Sequence, residues 1–417
     1  MQKLTVKRED FTRAVAVAGR VIERRNITPV LGSLRLCAKG GEMTVSGTDM
    51  DIQIDYTVPA KGKAPEDGIA IPDFRHIARA ANAVGADDIT FGCNADGKAG
   101  LTADMGALSF CGVALPGSDF PGYFDTVDRV APIWTGTLTT EFLDALERVA
   151  PAISTEETRY YLNGVFFGKD EGGNPWAYNL VATDGHRLHI ASVQIPDATG
   201  AIRAFTHGYV IIPHKMVALL LSMRPKKNEP AISMAIHPTY VPNDTGATET
   251  LTKSQEGSKA RFRTNGTTLT GKFIDGTYPD YQRVIPQDRK LFAAFDRAAL
   301  LRALSVILAF HAGKNSCSVK LEIGQTEAKL SRKWFGNEAS LSGVPCEVGG
   351  SLQEDAPRDG FTVAFNARYL AAALNQFSGC EKVTLEWTSA AEAHHAPVVI
   401  GSNESAGFYA VVMPMRV

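Results

Sequence analysis

Phe11-Thr-Arg-Ala-Val-Ala-Val-Ala-Gly-Arg-Val-Ile22 sets apolar residues at three- and four-residue steps, the period of an amphipathic helix. The pattern returns at Phe142-Leu-Asp-Ala-Leu-Glu-Arg-Val-Ala150 and again at Leu300-Leu-Arg-Ala-Leu-Ser-Val-Ile-Leu308. Asp10, Thr140 and Asp296 stand before the three copies as N-cap candidates. A second pattern follows each copy, a short extended run turning into another helix. It reads Ile71-Pro-Asp-Phe-Arg-His-Ile-Ala-Arg-Ala80, Ile212-Pro-His-Lys-Met-Val-Ala-Leu-Leu-Leu221 and Phe365-Asn-Ala-Arg-Tyr-Leu-Ala-Ala-Ala-Leu374. Each begins about 60–75 residues after its partner, a spacing too regular for chance.

Working outward, period-2 alternation bounded by Gly and Asp predicts hairpin strands. The first copy has 33–37, 43–46 and 52–56, and the third matches it with 318–323, 328–331 and 339–342. Residues 89–91, 232–236 and 383–387 close the three copies. The fold class is therefore α+β: three tandem units of two helices on antiparallel sheets, about eight strands each. Their expected extents are 1–128, 129–290 and 291–417, with a loop or long hairpin inserted at 237–259, where Thr, Pro, Gly and Ser concentrate.

Composition narrows the class of function. The 417 residues carry 43 basic and 45 acidic side chains, a net charge of −2, with 44% hydrophobic and 21% charged residues. A largely disordered chain is excluded. The apolar run near Met216–Met223 falls far short of the ~20 residues of a membrane span. Met1-Gln-Lys-Leu-Thr5 lacks a signal-peptide start, so a cytoplasmic protein is expected. The six cysteines are scattered, with no Cys-x-x-Cys, and read as small buried apolar residues. Phosphate loops, nucleophile elbows and His-Glu-x-x-His are absent. His186 with His189, and the adjacent His394 and His395, are weak metal signals without a third ligand, so no metal and no cofactor are expected.

Charge is nonetheless segregated. Arg13, Arg20 and Arg24 share one face of the first helix, opposite Phe11, Ala14, Ala18 and Val21. Arg75 and Arg79 share a face of the next, and Arg302 and Arg368 add to the third unit. Such a stripe reads as a polyanion-facing surface or as a plain solvated face. The acidic Glu141, Asp144 and Glu147 of the second unit fit the plainer reading.

Four motifs then carry a resemblance: Arg159-Tyr-Tyr-Leu-Asn-Gly164, Ala182-Thr-Asp-Gly-His-Arg-Leu188, Asp275-Gly-Thr-Tyr-Pro-Asp-Tyr281 and Val411-Val-Met-Pro-Met-Arg-Val417. In family order and over essentially the whole chain, the sequence resembles the β subunit of bacterial DNA polymerase III, the sliding clamps. The resemblance implies a non-catalytic processivity factor. Two chains would close head to tail around duplex DNA, and the ring would tether the replicative polymerase, the clamp loader and other proteins bearing a clamp-binding motif. Twelve lining helices of ~10 Å width would leave a hole of roughly 28 Å, wider than a duplex, with sequence-independent phosphate contacts suited to sliding. DNA-facing roles would fall on Arg24, Arg25, Arg75, Arg79, Tyr160, Tyr161 and Lys215. A slot for partner peptides carrying Gln and large apolar residues would be lined by Leu162, Thr183, Gly185, His186, Arg187, Leu188, Pro279, Val284, Val411, Met413, Pro414, Met415 and Arg416, flanked by Asn366 and Tyr369. Ring closure would rest on Phe110, on the strand over 107–115, against Ile307 and Leu308. Glu156-Glu157 departs from the family by placing acid beside the tyrosine pair, with Arg159 at hand to offset it, and Val417 replaces a terminal Leu. Two other readings compete: a hydrolase using Asp184 and His186, and a monomeric peptide-binding scaffold that encircles nothing.

Overall fold

The computed structural model describes all residues except 1, 24–25, 94–100, 123, 125–126, 128–130, 171, 173, 201, 203–207, 239, 242–249, 252–257, 312, 314–316, 351–359 and 417. Six helices are present among the described residues: α1 (Arg8–Ala18), α2 (Phe74–Val84), α3 (Thr140–Val149), α4 (His214–Ser222), α5 (Arg297–Ala309) and α6 (Ala367–Asn375). They fall in the three sequence copies two by two.

Their ends follow local chemistry. The Asp296 carboxylate accepts the Ala299 amide at 2.6 Å and caps α5, a contact of about 1 kcal/mol. Asp10 is not a cap: α1 starts earlier, at Arg8, and Glu9 with Asp10 lie in its first turn, where the helix dipole favours them. Thr140 is likewise the first helical residue of α3. Gly85 ends α2 at φ +69°, the left-handed position that a side chain resists. Phe11, Ala14 and Ala18 of α1 are fully buried, and the Phe11 ring sits 5.1 Å from that of Phe91.

The chain packs as two compact units that do not follow the sequence copies. One holds Met1–Thr140, Ile195–Gly208 and Lys215–Asp275; the other holds Glu141–Gln194, Tyr209–His214 and Gly276–Val417. The middle copy is thus divided, because each part of it extends a neighbour's sheet. In the first unit, strand Thr267–Lys272 pairs antiparallel with Ile52–Gly62, with Leu269 opposite Ile54 and Gly271 opposite Ile52, inside a 14-stranded sheet. In the second, Arg187–Gln194 pairs with Phe408–Val412, with Leu188 opposite Val411, inside a 12-stranded sheet. Backbone hydrogen bonds cross both sequence boundaries, so neither is a linker.

The 237–259 insertion leaves one hairpin and returns to it: His237 pairs with Lys259, and Tyr240–Val241 pairs with Thr250–Leu251 further out. Residues 239, 242–249 and 252–257 of it lie outside the described residues.

Several strands keep an open side among the described residues, Leu108–Gly112 and part of Asn337–Gly350 among them. Leu108–Gly112 pairs only with Leu101–Met105 and ends the first sheet. In Asn337–Gly350, the first part pairs only with Glu327–Trp334, while Leu291–Asp296 joins from Cys346 onward.

Candidate functional site

The motif Thr183-Asp-Gly-His-Arg187 is a turn that ties itself. The Asp184 carboxylate accepts the amides of His186 (2.9 Å) and Arg187 (3.1 Å) and the Arg187 Nε (3.0 Å). Thr183 Oγ1 donates to the Arg187 carbonyl and accepts the Gly185 amide. Gly185 sits at φ +87°, where a Cβ would also meet Arg159 Nη1 at 2.6 Å, so two constraints select glycine. Asp-led turns of this kind recur because the side chain satisfies the turn's own amides.

The turn holds one wall of a cavity of about 280 Å3. The His186 ring stacks on Tyr369 (5.9 Å, 17°), and the Arg187 guanidinium lies 4.7 Å over the same ring. The Met413 amide donates to the His186 carbonyl at 2.9 Å, fixing the C-terminal strand as the second wall. The third is the 3-10 turn Tyr281–Val284, whose N-cap Asp280 also accepts Arg283 Nε at 2.8 Å. Tyr278, beneath it, is fully buried and donates to the Val181 carbonyl, and burial pushes its hydroxyl well above the ordinary tyrosine range. Burial likewise raises the Tyr369 hydroxyl.

Ten of the expected slot residues line this one cavity: Leu162, Thr183, Gly185, His186, Arg187, Leu188, Pro279, Val284, Val411 and Met413. The others do not. Asn366 is buried and caps α6 by accepting the Arg368 amide at 3.1 Å. Tyr369 supports His186 and Arg187 from behind. Past Met413 the chain leaves the cavity: Pro414 lines no wall of it, the Met415 amide donates to the Ala364 carbonyl at 2.7 Å, and Met415 with Arg416 face a different cleft. The end of the chain continues along the strand Phe361–Asn366 rather than turning into the slot. Arg159, Tyr161, Asp280 and Tyr281 complete the lining. All four lie inside the quoted motifs, but sequence alone does not say which motif side chains turn inward.

The expected DNA-facing residues divide. Arg75 and Arg79 are exposed on α2 and, with Arg20, edge a groove between α1 and α2. Arg75 Nη2 donates to the Gly19 carbonyl at 3.2 Å. Arg13 and Arg20 also edge a second groove with Arg224 and Lys226, which the helix pattern passes over because they follow α4. The run Arg224-Pro-Lys-Lys227 was the available signal. Tyr160 is exposed, but Tyr161 lines the slot instead. Lys215 is held by Asp49 and lies 3.7 Å from Glu23, so its charge is engaged inside the protein. Arg24 and Arg25 lie outside the described residues. The acid at Glu156 is met by Arg159 at 2.7 Å, and the Arg159 hydrogen bond holds the Glu156 carboxyl below the usual range.

The histidine pair separates completely. His186 faces the slot, while His189 is buried, its Nδ1 2.9 Å from the Arg148 carbonyl, and burial lowers its pKa to about 4. No cluster able to hold a metal occurs among the described residues.

Of the expected closure residues, Phe110 is half-buried on the open strand, its ring folded over Gly112. Leu308 is half-buried, but Ile307 is fully buried in the core of its own unit. The large apolar side chains that α5 and its C-cap expose are Val306 (44%) and Phe310 (53%). The pattern registers apolar residues and misses the one-residue rotation that decides which of them point outward.

Comparison with known proteins agrees with this geometry. The model for the DNA polymerase III beta subunit, N-terminal domain, matches residues 2–123, and that for the central domain matches residues 138–280. The beta sliding clamp of Caulobacter vibrioides is 29% identical over 423 residues, covering 100% of both chains, and that of Vibrio cholerae is 25% identical over 428 residues, covering 99% and 100%. The crystal structure of the Caulobacter crescentus DNA polymerase sliding clamp superimposes with a TM-score of 0.81 at 27% identity, covering 100% of each chain. The chain belongs to the DNA polymerase III beta subunit family. That family is the sliding clamps, non-catalytic processivity factors of the polymerase, so Asp184 orders a turn and His186 lines a cavity wall rather than forming a hydrolytic centre.

Proposed function

We propose that two copies of this chain close head to tail around duplex DNA in the bacterial cytoplasm, on the nucleoid during replication. The ring slides without sequence preference and tethers the replicative polymerase, the clamp loader and other partners through the slot. The three sequence copies, 1–128, 129–290 and 291–417, are its structural repeats. The observation that carries the partner role is the cavity formed by the Thr183–Arg187 turn, the 3-10 turn and Met413: an apolar interior with a polar rim, suited to a peptide with one amide and large apolar side chains. Met413 gives it an adaptable wall.

Arg13, Arg20, Arg75, Arg79, Arg224 and Lys226 are the phosphate-facing candidates. Closure would add the open strand Leu108–Gly112 of one copy to the open part of Asn337–Gly350 in the next, with Val306 and Phe310 packed behind, which removes both free edges.

The test is retention on DNA. A clamp loaded on a closed circle is held by topology and leaves when the circle is cut; a protein held by charge alone stays on the linear product and leaves in salt. Val306→Ala with Phe310→Ala should give monomers, whereas Ile307→Ala should lower stability by about 2–5 kcal/mol through a core cavity and act on assembly only indirectly. A wild-type monomer by solution mass would favour the peptide-binding scaffold instead.

A further inference from the structure

A concavity of about 1210 Å3 in the second unit lies beside the slot and has no role in the reading above. Its floor is the outer face of the sheet formed by Ser318–Ile323, Glu327–Trp334 and Phe361–Asn366. Alternation puts Val319 and Leu321 into the core and turns Lys320 and Glu322 outward. Five cations line the cleft, Lys320, Lys329, Arg332, Lys333 and Arg416, against two carboxylates, Glu322 and Glu338. Lys320 and Lys329 share Glu322 at 2.6 and 3.6 Å, and Lys333 lies 3.6 Å from Glu338. Arg332 spends its guanidinium on the Phe310 carbonyl and the His311 ring, neither an anion. His394 and His395 form a further wall, their rings 4.4 Å apart. The chain as a whole carries −2, so this is a local cationic excess with polar donors facing inward.

The cleft adjoins the slot along the C-terminal strand. Met413 lines the slot, and two residues on, Met415 and Arg416 line the cleft, held there by the Met415–Ala364 backbone bond. Two residues of extended chain span roughly 7 Å, so a peptide seated in the slot needs only a few more residues to reach the cations.

We propose that this cleft receives an acidic segment flanking the slot-binding motif of a partner, and so ranks partners that share the same core motif. The proposal rests on the reading of the slot as a peptide site. Charge complementarity selects the occupant: carboxylate side chains answer the unbalanced ammonium and guanidinium groups.

The experiment uses the full-length chain and three fluorescent peptides with one core of a Gln and two large apolar residues. One has neutral serine flanks; the others carry four glutamates on the N-terminal or the C-terminal side. At low ionic strength one acidic peptide should bind roughly fivefold more tightly than the neutral one, and ~1 M salt should erase the gain. Lys320→Ala with Lys329→Ala should remove the gain and leave the neutral peptide's affinity unchanged. Glu322→Gln, which leaves the lysines in place, should enlarge it. No gain from either flank, or a gain that survives the double lysine variant, overturns the proposal. Tighter binding of a single-stranded oligonucleotide than of either acidic flank, lost in the same variant, would also overturn it and assign the cleft to nucleic acid. Failure of the neutral peptide to bind would strike the slot reading itself, and this proposal with it.

Discussion

Two turns built to one plan end in opposite surfaces. Thr48-Asp-Met-Asp-Ile52 repeats the four side-chain-to-backbone hydrogen bonds of Thr183-Asp-Gly-His-Arg187. Thr48 Oγ1 donates to the Ile52 carbonyl and accepts the Met50 amide, and Asp49 accepts the amides of Asp51 (3.0 Å) and Ile52 (2.7 Å). The third residue of each turn has positive φ, +82° at Met50 and +87° at Gly185. Both turns lead into the strand that crosses a sequence boundary. The first seam is sealed by charge: Asp49 holds Lys215 of α4, and Lys272 reaches Asp51 at 3.0 Å. The second keeps its charge to itself, Asp184 binding its own Arg187, which frees His186 and Arg187 to lie on Tyr369 and leave a cavity. Gln53 stands in the first seam where Leu188 lines the slot in the second. A repeated frame with a few exchanged side chains turns a closed joint into an open cavity.

Removing the frame should separate the seams most sharply. Asp184→Ala strips three donors of their acceptor, at a penalty of about 2–3 kcal/mol, so a slot-binding peptide should weaken roughly 30- to 150-fold by anisotropy. Asp49→Ala should lower the melting temperature and leave peptide affinity within twofold. Equal peptide loss in the two variants would break the comparison.

Acid should distinguish them next. His189 occupies the position that Ile54 holds in the first turn. Burial depresses its folded-state pKa to about 4, below the ordinary 6.5, so the folded chain binds fewer protons than the unfolded one between those values. Stability is then full above the ordinary pKa and declines as pH falls, by about 2 kcal/mol at pH 5. Urea midpoints at pH 7 and pH 5 measure it. His189→Ile, whatever its own stability, should flatten that slope; a slope that persists would place the titrating group elsewhere.

Lys215 gives a smaller contrast. Its side chain is 36% exposed and that of Asp49 only 10%, so Lys215→Ala leaves a carboxylate largely out of water. Discounted for screening, the loss is about 1 kcal/mol of stability, with retention on circular DNA unchanged. Reduced retention at unchanged stability would restore Lys215 to the DNA-facing set.

How much of this the sequence showed depends on the range of the interaction. Helices and hairpins come from local period, and each of the six expected helices is found. The slot's walls were legible as motifs because turns carry their instructions in four or five residues. What failed was set at long range. Ile307 and Phe310 look alike in a pattern but differ in which packs inward. Lys215 looked free until Asp49, far away in sequence, took its charge. Met415 and Arg416 continued a motif, yet the Ala364 carbonyl draws the chain end elsewhere. The two-unit packing has no local signal, since strands pair across both boundaries.

The smallest expected effect tests whether the two turns are one device. Met50 is a branchless but bulky residue held at φ +82°, a region costing an L-residue about 1–2 kcal/mol. Glycine would remove that strain but widen the unfolded ensemble, returning up to about 1 kcal/mol of the gain. The Met50 side chain is 44% exposed, so little packing is lost. Met50→Gly should therefore raise stability by about 0.5–1 kcal/mol, read as a shift in urea midpoint at constant slope, and leave both peptide affinity and DNA retention alone. A stability loss would mean that Met50 contributes a contact that outweighs its strain, and that the first turn tolerates positive φ for a reason the second does not share.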